Sequence, residues 1–462
     1  MLQRIGSMLF VLACFFPLRA QDSDELLQRA IAHIRDTVNR LPNYLCTQTM
    51  ERFESAIGER YFGCSWWPPP DRFRNARSDR VRVDVLSTAR GEMYSWPGEN
   101  QFQKDLLQLV RLRPLSTGGF SGYLGSIFGG SASVFSYRRE IEENGRKLRE
   151  YEFRVPREKS SYLFGSDADR RIIAFEGTFL LDPETADLVR LVVKSSELPQ
   201  FTGACQATTT LNYGRTSLNN SEFLLPTRSL FELIGTHGEE VRNSSVYSNC
   251  HEFRGESTLR FDVPEPGRYS SATASGRPLR ALPVLTLPEG RPFRIVFAQD
   301  IEFRTAAAGD TIAAKLATPI VDASKHVLVP AGTPVAVRIL FADVSRRIPL
   351  AAGIVAGAHL IFRLESLTMA GTEYSFVATI SQAIESSDPT DHDWGSPVNH
   401  TVLDLYVRDK DLGPLLLAPN VGLFKFFGIQ TNFVLKAGKE SKWKTGGTGA
   451  TPDCLSGNGY CK

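Results

Sequence analysis

Residues 172–195 read IIAFEGTFLLDPETADLVRLVVKS, two runs rich in β-branched and aromatic residues separated by Asp182-Pro183-Glu184-Thr185. Runs of this length and composition are strands, and the Asp-Pro pair between them is turn chemistry. The same signature returns at Tyr44–Phe53, Arg80–Leu86, Glu92–Trp96, Leu148–Val155, Ala207–Tyr213, Phe223–Leu233 and Glu252–Val263. Hairpin after hairpin without interleaved helices predicts an antiparallel sheet and not a βαβ nucleotide-binding fold. The fold class expected is mainly β, within α+β.

Helices flank this meander. Leu27, Ile31, Ile34, Val38 and Leu41 follow a three/four spacing that stacks them on one face. Asp22 with Glu25 offers a capping box at one end of that helix, and Pro42 ends it. Asn100–Leu112 also reads as helical. Within the Gly- and Ser-rich stretch 118–136, Phe120, Tyr123, Leu124, Ile127 and Phe128 keep helical spacing. The glycines at 122, 125, 129 and 130 each cost such a helix about 1 kcal/mol relative to Ala, so it forms only when its apolar face packs on something. The same five residues are the candidate ligand-binding set, lining or plugging an apolar cavity; the alternative is a fixed core helix.

Residues 264–283 have the composition of a linker, with Pro264, Pro266, Gly267 and a Ser/Ala/Thr run. A second β-rich domain is expected at 284–436. In it Pro288-x-Gly290 and Pro330-x-Gly332 are turns that lead into alternating strands, Phe293–Phe297 and Val335–Leu340. Between them Gly309-Asp310 turns into Thr311–Leu316. The remainder, 437–462, is Lys-, Gly- and Thr-rich and reads as a flexible tail.

Composition sets outer limits. Hydrophobic residues make up 42% and charged residues 23% of the 462, an ordinary globular balance. Lys+Arg is 53 against Asp+Glu 51, which gives no reason to expect nucleic acid as a partner. Arg4, the apolar run Met8–Phe16, Pro17 and Ala20 form a secretory signal peptide, residues 1–20, cleaved after Ala20. Val11-Leu12-Ala13-Cys14 offers lipid anchoring through Cys14 as the lesser alternative. No later segment reaches the roughly 18 apolar residues of a membrane helix. The expected address is therefore periplasmic or secreted.

Export makes the six cysteines after Cys14 candidate disulfides: Cys46, Cys64, Cys205, Cys250, Cys454 and Cys461. Six cysteines allow more pairings than sequence can choose among. Position nominates Cys46 with Cys64 across a short segment, Cys205 with Cys250 on strands of one sheet, and Cys454 with Cys461 in a terminal loop. No C-x-x-C spacing supports zinc.

Two resemblances follow from these patterns. The stretch 22–263, an initial helix, a long meander and an inserted apolar helix, resembles the periplasmic lipoprotein-carrier superfamily of LolA-like and sigma-regulator sensor proteins. Leu41-Pro42-Asn43-Tyr44-Leu45-Cys46-Thr47-Gln48-Thr49 and Tyr247-Ser248-Asn249-Cys250 resemble phrases of uncharacterised exported bacterial proteins. The resemblance implies an antiparallel half-barrel with a hydrophobic cavity, and with it a lipid or lipoprotein acyl chain as ligand. The second half, with its Pro-x-Gly, Gly-Asp and Pro-x-Gly turns, resembles small β-barrel modules of bacterial envelope and type IV secretion proteins.

Catalytic signatures are scarce. Gly119-Phe120-Ser121-Gly122-Tyr123 fails as a nucleophile elbow at its last position, and no Walker, Gly-x-Gly-x-x-Gly or His-Glu-x-x-His motif occurs. Asp391, His392 and Asp393, with Asp388 and His400 near them, carry metal-ligand chemistry in the composition of an ordinary loop. Trp66-Trp67-Pro68-Pro69-Pro70 is an amphipathic edge or a capping loop. The expectation is a non-catalytic envelope protein without cofactor or metal that binds an apolar ligand or a protein partner. A docking module of an envelope assembly and a metal-dependent enzyme at Asp391–Asp393 are the alternatives.

Overall fold

A computed structural model describes residues 18–446 apart from 57–63, 65–74, 111–121, 254–281, 348–354 and 383–418, with shorter breaks at 89–90, 100, 107–108, 131–132, 166–168, 196–197, 220, 237–239 and 429–432. The first described element is helix α1 (Leu18–Arg40). Leu26, Leu27, Ala30, Ile31 and Ile34 are buried on one face, with Val38 packed beside them, as the spacing predicts. Asp22 and Glu25 lie inside the helix and are no capping box. Nothing in Leu18-Arg19-Ala20-Gln21 breaks a helix, so the backbone is already helical before Asp22.

The meander follows as β1 (Tyr44–Ala56), β2 (Asn75–Thr88) and β3 (Gly91–Ser95), then helix α2 (Gly122–Phe128). Next come β4 (Val134–Glu143), β5 (Arg146–Val155), β6 (Leu163–Phe164), β7 (Arg171–Ile172), β8 (Phe175–Leu181) and β9 (Leu188–Ser195). Three long strands complete it: β10 (Ala204–Leu218), β11 (Ser221–Gly235) and β12 (Glu240–Glu252). The sheet order is β4-β5-β8-β9-β10-β11-β12-β1-β2-β3, antiparallel throughout. β6 and β7 pair with each other. The opening hairpin is as read: Asp182 Oδ1 accepts from the Glu184 and Thr185 amides, an Asx turn between β8 and β9.

The later strands are β13 (Pro292–Phe297), β14 (Ile301–Glu302), β15 (Thr311–Leu316), β16 (Ile320–Val321), β17 (Val327–Val329) and β18 (Pro334–Arg347). They continue as β19 (Val355–Met369), β20 (Thr372–Tyr374), β21 (Ala378–Gln382), β22 (Val421–Gly428), β23 (Val434–Leu435) and β24 (Glu440–Thr445). Seven run in the order β22-β19-β18-β15-β13-β24-β21. Asn420 links the two end strands: its Oδ1 takes the Ala378 amide and its Nδ2 donates to Phe376 O. Gly290, Gly309 and Gly332 all have positive φ at the turns where sequence placed them.

Strand β2 joins the two sets. Its 75–79 half pairs with β18, its 84–88 half pairs with β3, and between them Ala308 exchanges backbone hydrogen bonds with Arg80 and Arg82 at 2.8 Å. The Ala308-Gly309-Asp310 turn is thus set into the edge of β2. A Cβ on Gly309 would fall 2.1 Å from Arg82 O, so this close approach requires glycine. One core cluster spans the junction, with Val81, Val83 and Val85 of β2 beside Phe341, Ile361 and Leu423.

Two strands are unannounced in the sequence and two expectations are corrected. β12 runs 240–252, a strand unannounced in the sequence over 240–251, while 254–263 of the strand expected at Glu252–Val263 lie outside the described residues. Its inward residues include Asn243 and Ser245, polar side chains that hide the alternation. β4, unannounced in the sequence, is a charged and mostly exposed edge strand. Asn100–Leu112 is not a helix among its described residues. Gln103 bridges to Tyr94, and one turn closed by the Leu109 and Val110 amides on Leu106 O suffices to bury Leu106 and Val110. Residues 440–445, inside the expected tail, form β24 between β13 and β21, with Ser441, Trp443 and Thr445 buried and the lysines outward.

The disulfides cross the nominated pairs. Cys46 bonds Cys250, and Cys64 bonds Cys205. Leu45 pairs with His251 but Thr47 with Ser248, so Cys46 faces a bulge in β12 at which Asn249 takes φ 52°. The two phrases around Cys46 and Cys250 are therefore one structural feature, further tied by the Phe253 amide on Asn43 O. Sequence proximity was the wrong guide because strand neighbours here lie far apart in the chain. Cys454, Cys461, Cys14 and residues 1–17 lie outside the described residues.

Candidate functional site

The predicted ligand set sits on α2. Tyr123, Leu124, Ile127 and Phe128 are buried, while Phe120 lies outside the described residues. They pack with the apolar face of α1 and with Tyr151, Phe153, Phe175 and Phe179 of β5 and β8. Phe128 meets Phe179 edge-on at 5.2 Å, and Tyr151 stacks on Phe179 at 5.3 Å. Arg35 of α1 donates to Phe128 O and holds the C-terminal end of α2. Each such buried side chain contributes roughly 1.5–3 kcal/mol. Deeper in, burial raises the Tyr213 phenol well above its ordinary range, and its hydroxyl has no hydrogen-bond partner among the described residues.

A cavity of about 720 Å³ opens elsewhere, at the junction of the two strand sets. Register explains its lining. One row across β11, β12, β1 and β2 is Leu230, Ser244, Glu51 and Arg80; the next is Arg242, Phe53 and Ser78, continued on β18 by Val344. Phe303 and Arg304, just after β14, supply the far wall. Arg80 pairs with Glu51 and donates to Arg304 O, and Arg242 pairs with Glu240 at 2.5 Å. Burial pushes the Arg80 guanidinium below its usual value, and the neighbouring Arg82 and Arg304 charges add to this against Asp310.

Beside the cavity runs a charged row in continuous register, Arg52, Asp79, Asp343 and His359 on β1, β2, β18 and β19. Arg52 grips Asp79 with two hydrogen bonds of 2.6 and 2.7 Å. His359 Nδ1 lies 2.7 Å from Asp343 Oδ1, and Arg77 Nε lies 3.1 Å from Asp343 Oδ2. That last approach lacks hydrogen-bond alignment, and Arg77 Nε and Nη2 are buried without a hydrogen-bond partner among the described residues. Arg338 forms a second node, bidentate to Glu365, on Gly309 O at 3.1 Å and on Glu99 at 2.9 Å.

These arginines were not singled out by sequence; the charged run Arg77, Asp79, Arg80 and Arg82 was the available signal. The segment with Asp388, Asp391, His392, Asp393 and His400, the Trp66–Pro70 run and His237 lie outside the described residues. His251 is exposed against Asn249 O, and His33 lies 3.5 Å from Asp187. No group of three or more metal-ligating side chains occurs among the described residues. Nor, among them, is any helix long and apolar enough to cross a membrane.

No protein-family model matches the chain, and no curated protein matches it. Several solved structures show partial likeness, among them the following two. A DUF1329 family protein from Desulfovibrio piger is 10% identical with a TM-score of 0.27, covering 52% of this chain and 95% of that one. A domain from Vibrio parahaemolyticus assigned to outer membrane lipoprotein sorting is 8% identical with a TM-score of 0.25, covering 50% and 93%. TM-scores this low do not define a shared fold and carry no conclusion about ligand.

Proposed function

We propose that this is an exported, non-catalytic binding protein of the cell envelope whose ligand sits in the cavity between two β-rich units. The first unit is a half-barrel over residues 22–263, and the second is a barrel-like unit that begins at 284. The observation that carries the reading is the cavity of about 720 Å³, lined from both units and within the roughly 300–1,000 Å³ range of ligand clefts. Two disulfides support an oxidising compartment, periplasmic or extracellular.

The test uses two probes with one ring system, neutral N-phenyl-1-naphthylamine and its sulfonate, 8-anilinonaphthalene-1-sulfonate. Saturable binding of either, lost in Ser244→Trp at unchanged melting temperature, is expected. Absence of saturable binding, or binding indifferent to Ser244→Trp, overturns the reading.

A second reading keeps Phe120, Tyr123, Leu124, Ile127 and Phe128 as a plug over an acyl-chain site in the half-barrel. The acid or ester head of such a chain would supply the partner that the buried Tyr213 hydroxyl lacks among the described residues. Lipid extracted from the purified protein, and its loss when α2 is cross-linked to α1, supports the plug; no lipid in the extract counts against it.

A further inference from the structure

The cavity lining carries five arginines, Arg52, Arg77, Arg80, Arg242 and Arg304, against two carboxylates, Glu51 and Asp79. Four of the five are paired, Arg52 with Asp79 and Arg80 with Glu51 inside the lining, Arg242 with Glu240 and Arg77 with Asp343 outside it. Arg304 is exposed, and no ion pair engages it among the described residues. Arg77, in an ion pair with Asp343, has two buried N–H groups without a hydrogen-bond partner among the described residues. The same cavity has apolar walls in Phe53, Leu230 and Phe303. Arg304, the lining arginine without an ion pair among the described residues, next to aromatic and aliphatic surface matches a ligand with the opposite charge and a similar body.

We propose that the cavity selects an organic anion, an apolar body bearing one phosphate, sulfonate or carboxylate group, with Arg304 as its charge-reading group and the paired Arg242 and Arg77 as further N–H donors beside it. The inference rests on the cavity being the ligand site and adds the class of ligand. Guanidinium forks suit such oxyanions because they present several N–H donors in a plane. An anion at this place also offsets the mutual repulsion of Arg80 and Arg304. Arg80, tied to the Arg304 carbonyl, holds the wall in position.

Because the two probes differ only by the sulfonate, their comparison isolates the charge. The sulfonate is expected to bind about tenfold more tightly than the neutral amine, the ratio of one charge-assisted contact. Arg304→Ala and Arg242→Ala are each expected to weaken the sulfonate about tenfold, leave the amine unchanged, and reduce the salt dependence of binding. Inorganic phosphate, which lacks the apolar body, should displace the sulfonate only at far higher concentration.

Equal affinities for the two probes, or sulfonate binding untouched in both arginine variants, overturn the proposal while the cavity reading stands if Ser244→Trp still blocks binding. Displacement by phosphate at the sulfonate's own concentration overturns the requirement for an apolar body. Arg304 and Arg242 are exposed, so thermal unfolding of their variants separates a binding loss from a folding loss.

Discussion

Asp79 and Asp343 are register partners across the junction of β2 and β18, two carboxylates side by side on adjacent strands. Like charges directly opposite one another destabilise a sheet unless each is compensated. Arg52 compensates the first, and His359 with Arg77 the second. The joint between the two strand sets is therefore a row of two adjacent carboxylates, each held by a partner on its outer side.

Removing one member exposes this. Arg52→Ala leaves Asp79 buried and unpaired beside Asp343, and should cost about 3–5 kcal/mol in urea unfolding. The double variant Arg52→Met with Asp79→Leu should recover most of that loss. If the single and double variants are equally unstable, the row does not act as a unit.

Gly309→Ala tests the docking of the Ala308–Asp310 turn on β2. The added carbon meets Arg82 O and the Trp96 ring at a backbone φ of 102°, so strain and overlap together should cost about 2–5 kcal/mol. Gly290→Ala, also at positive φ but with open space around it, should cost less. Calorimetric melting of the two variants ranks them.

The two disulfides close spans of 204 and 141 residues. Removing either pair with serine should cost roughly 2–5 kcal/mol, because the unfolded chain regains freedom. Peptide mapping under non-reducing conditions should show Cys46 with Cys250 and Cys64 with Cys205. A Cys46–Cys64 peptide would contradict the fold around β1 and β12.

Acid should loosen the junction. Burial alone would raise the Glu365 carboxyl, but Arg338 and Arg363 outweigh it and hold it below the ordinary glutamate value of 4.5. A lowered carboxylate contributes stability that is full above 4.5 and lost as pH falls through its folded value. Glu99 has the opposite sign: burial and Glu365 raise it despite Arg338, so its contribution is full below 4.5 and lost as pH rises through its folded value. Glu365→Gln should flatten the loss of stability below pH 4.5, whereas Glu99→Gln should be neutral or stabilising at pH 7. Urea midpoints measured from pH 3 to 7 distinguish the two.

Much of the strand plan was legible in the sequence because period-two alternation and turn chemistry are local. The β8–β9 hairpin, α1, α2, and the glycine turns at 290, 309 and 332 all follow from a few neighbouring residues. Where alternation was polar, as in Asn243 and Ser245 of β12, or masked by lysines, as around Trp443, the strand was hidden. The site was less legible still. Arg52, Arg80, Arg242 and Arg304 are unremarked charges along the chain and converge only when β1, β2 and β12 stand side by side with the turn after β14.

By itself the sequence determined which residues alternate, where the chain turns and which six cysteines were candidates for bonding. The tertiary structure alone decided which strands became neighbours, and hence that Cys46 meets Cys250, that Gly309 rests on β2, and that Asp79 faces Asp343. The reason is physical: side-chain direction is fixed within one strand, whereas pairing and ionic compensation belong to strands brought together from distant parts of the chain.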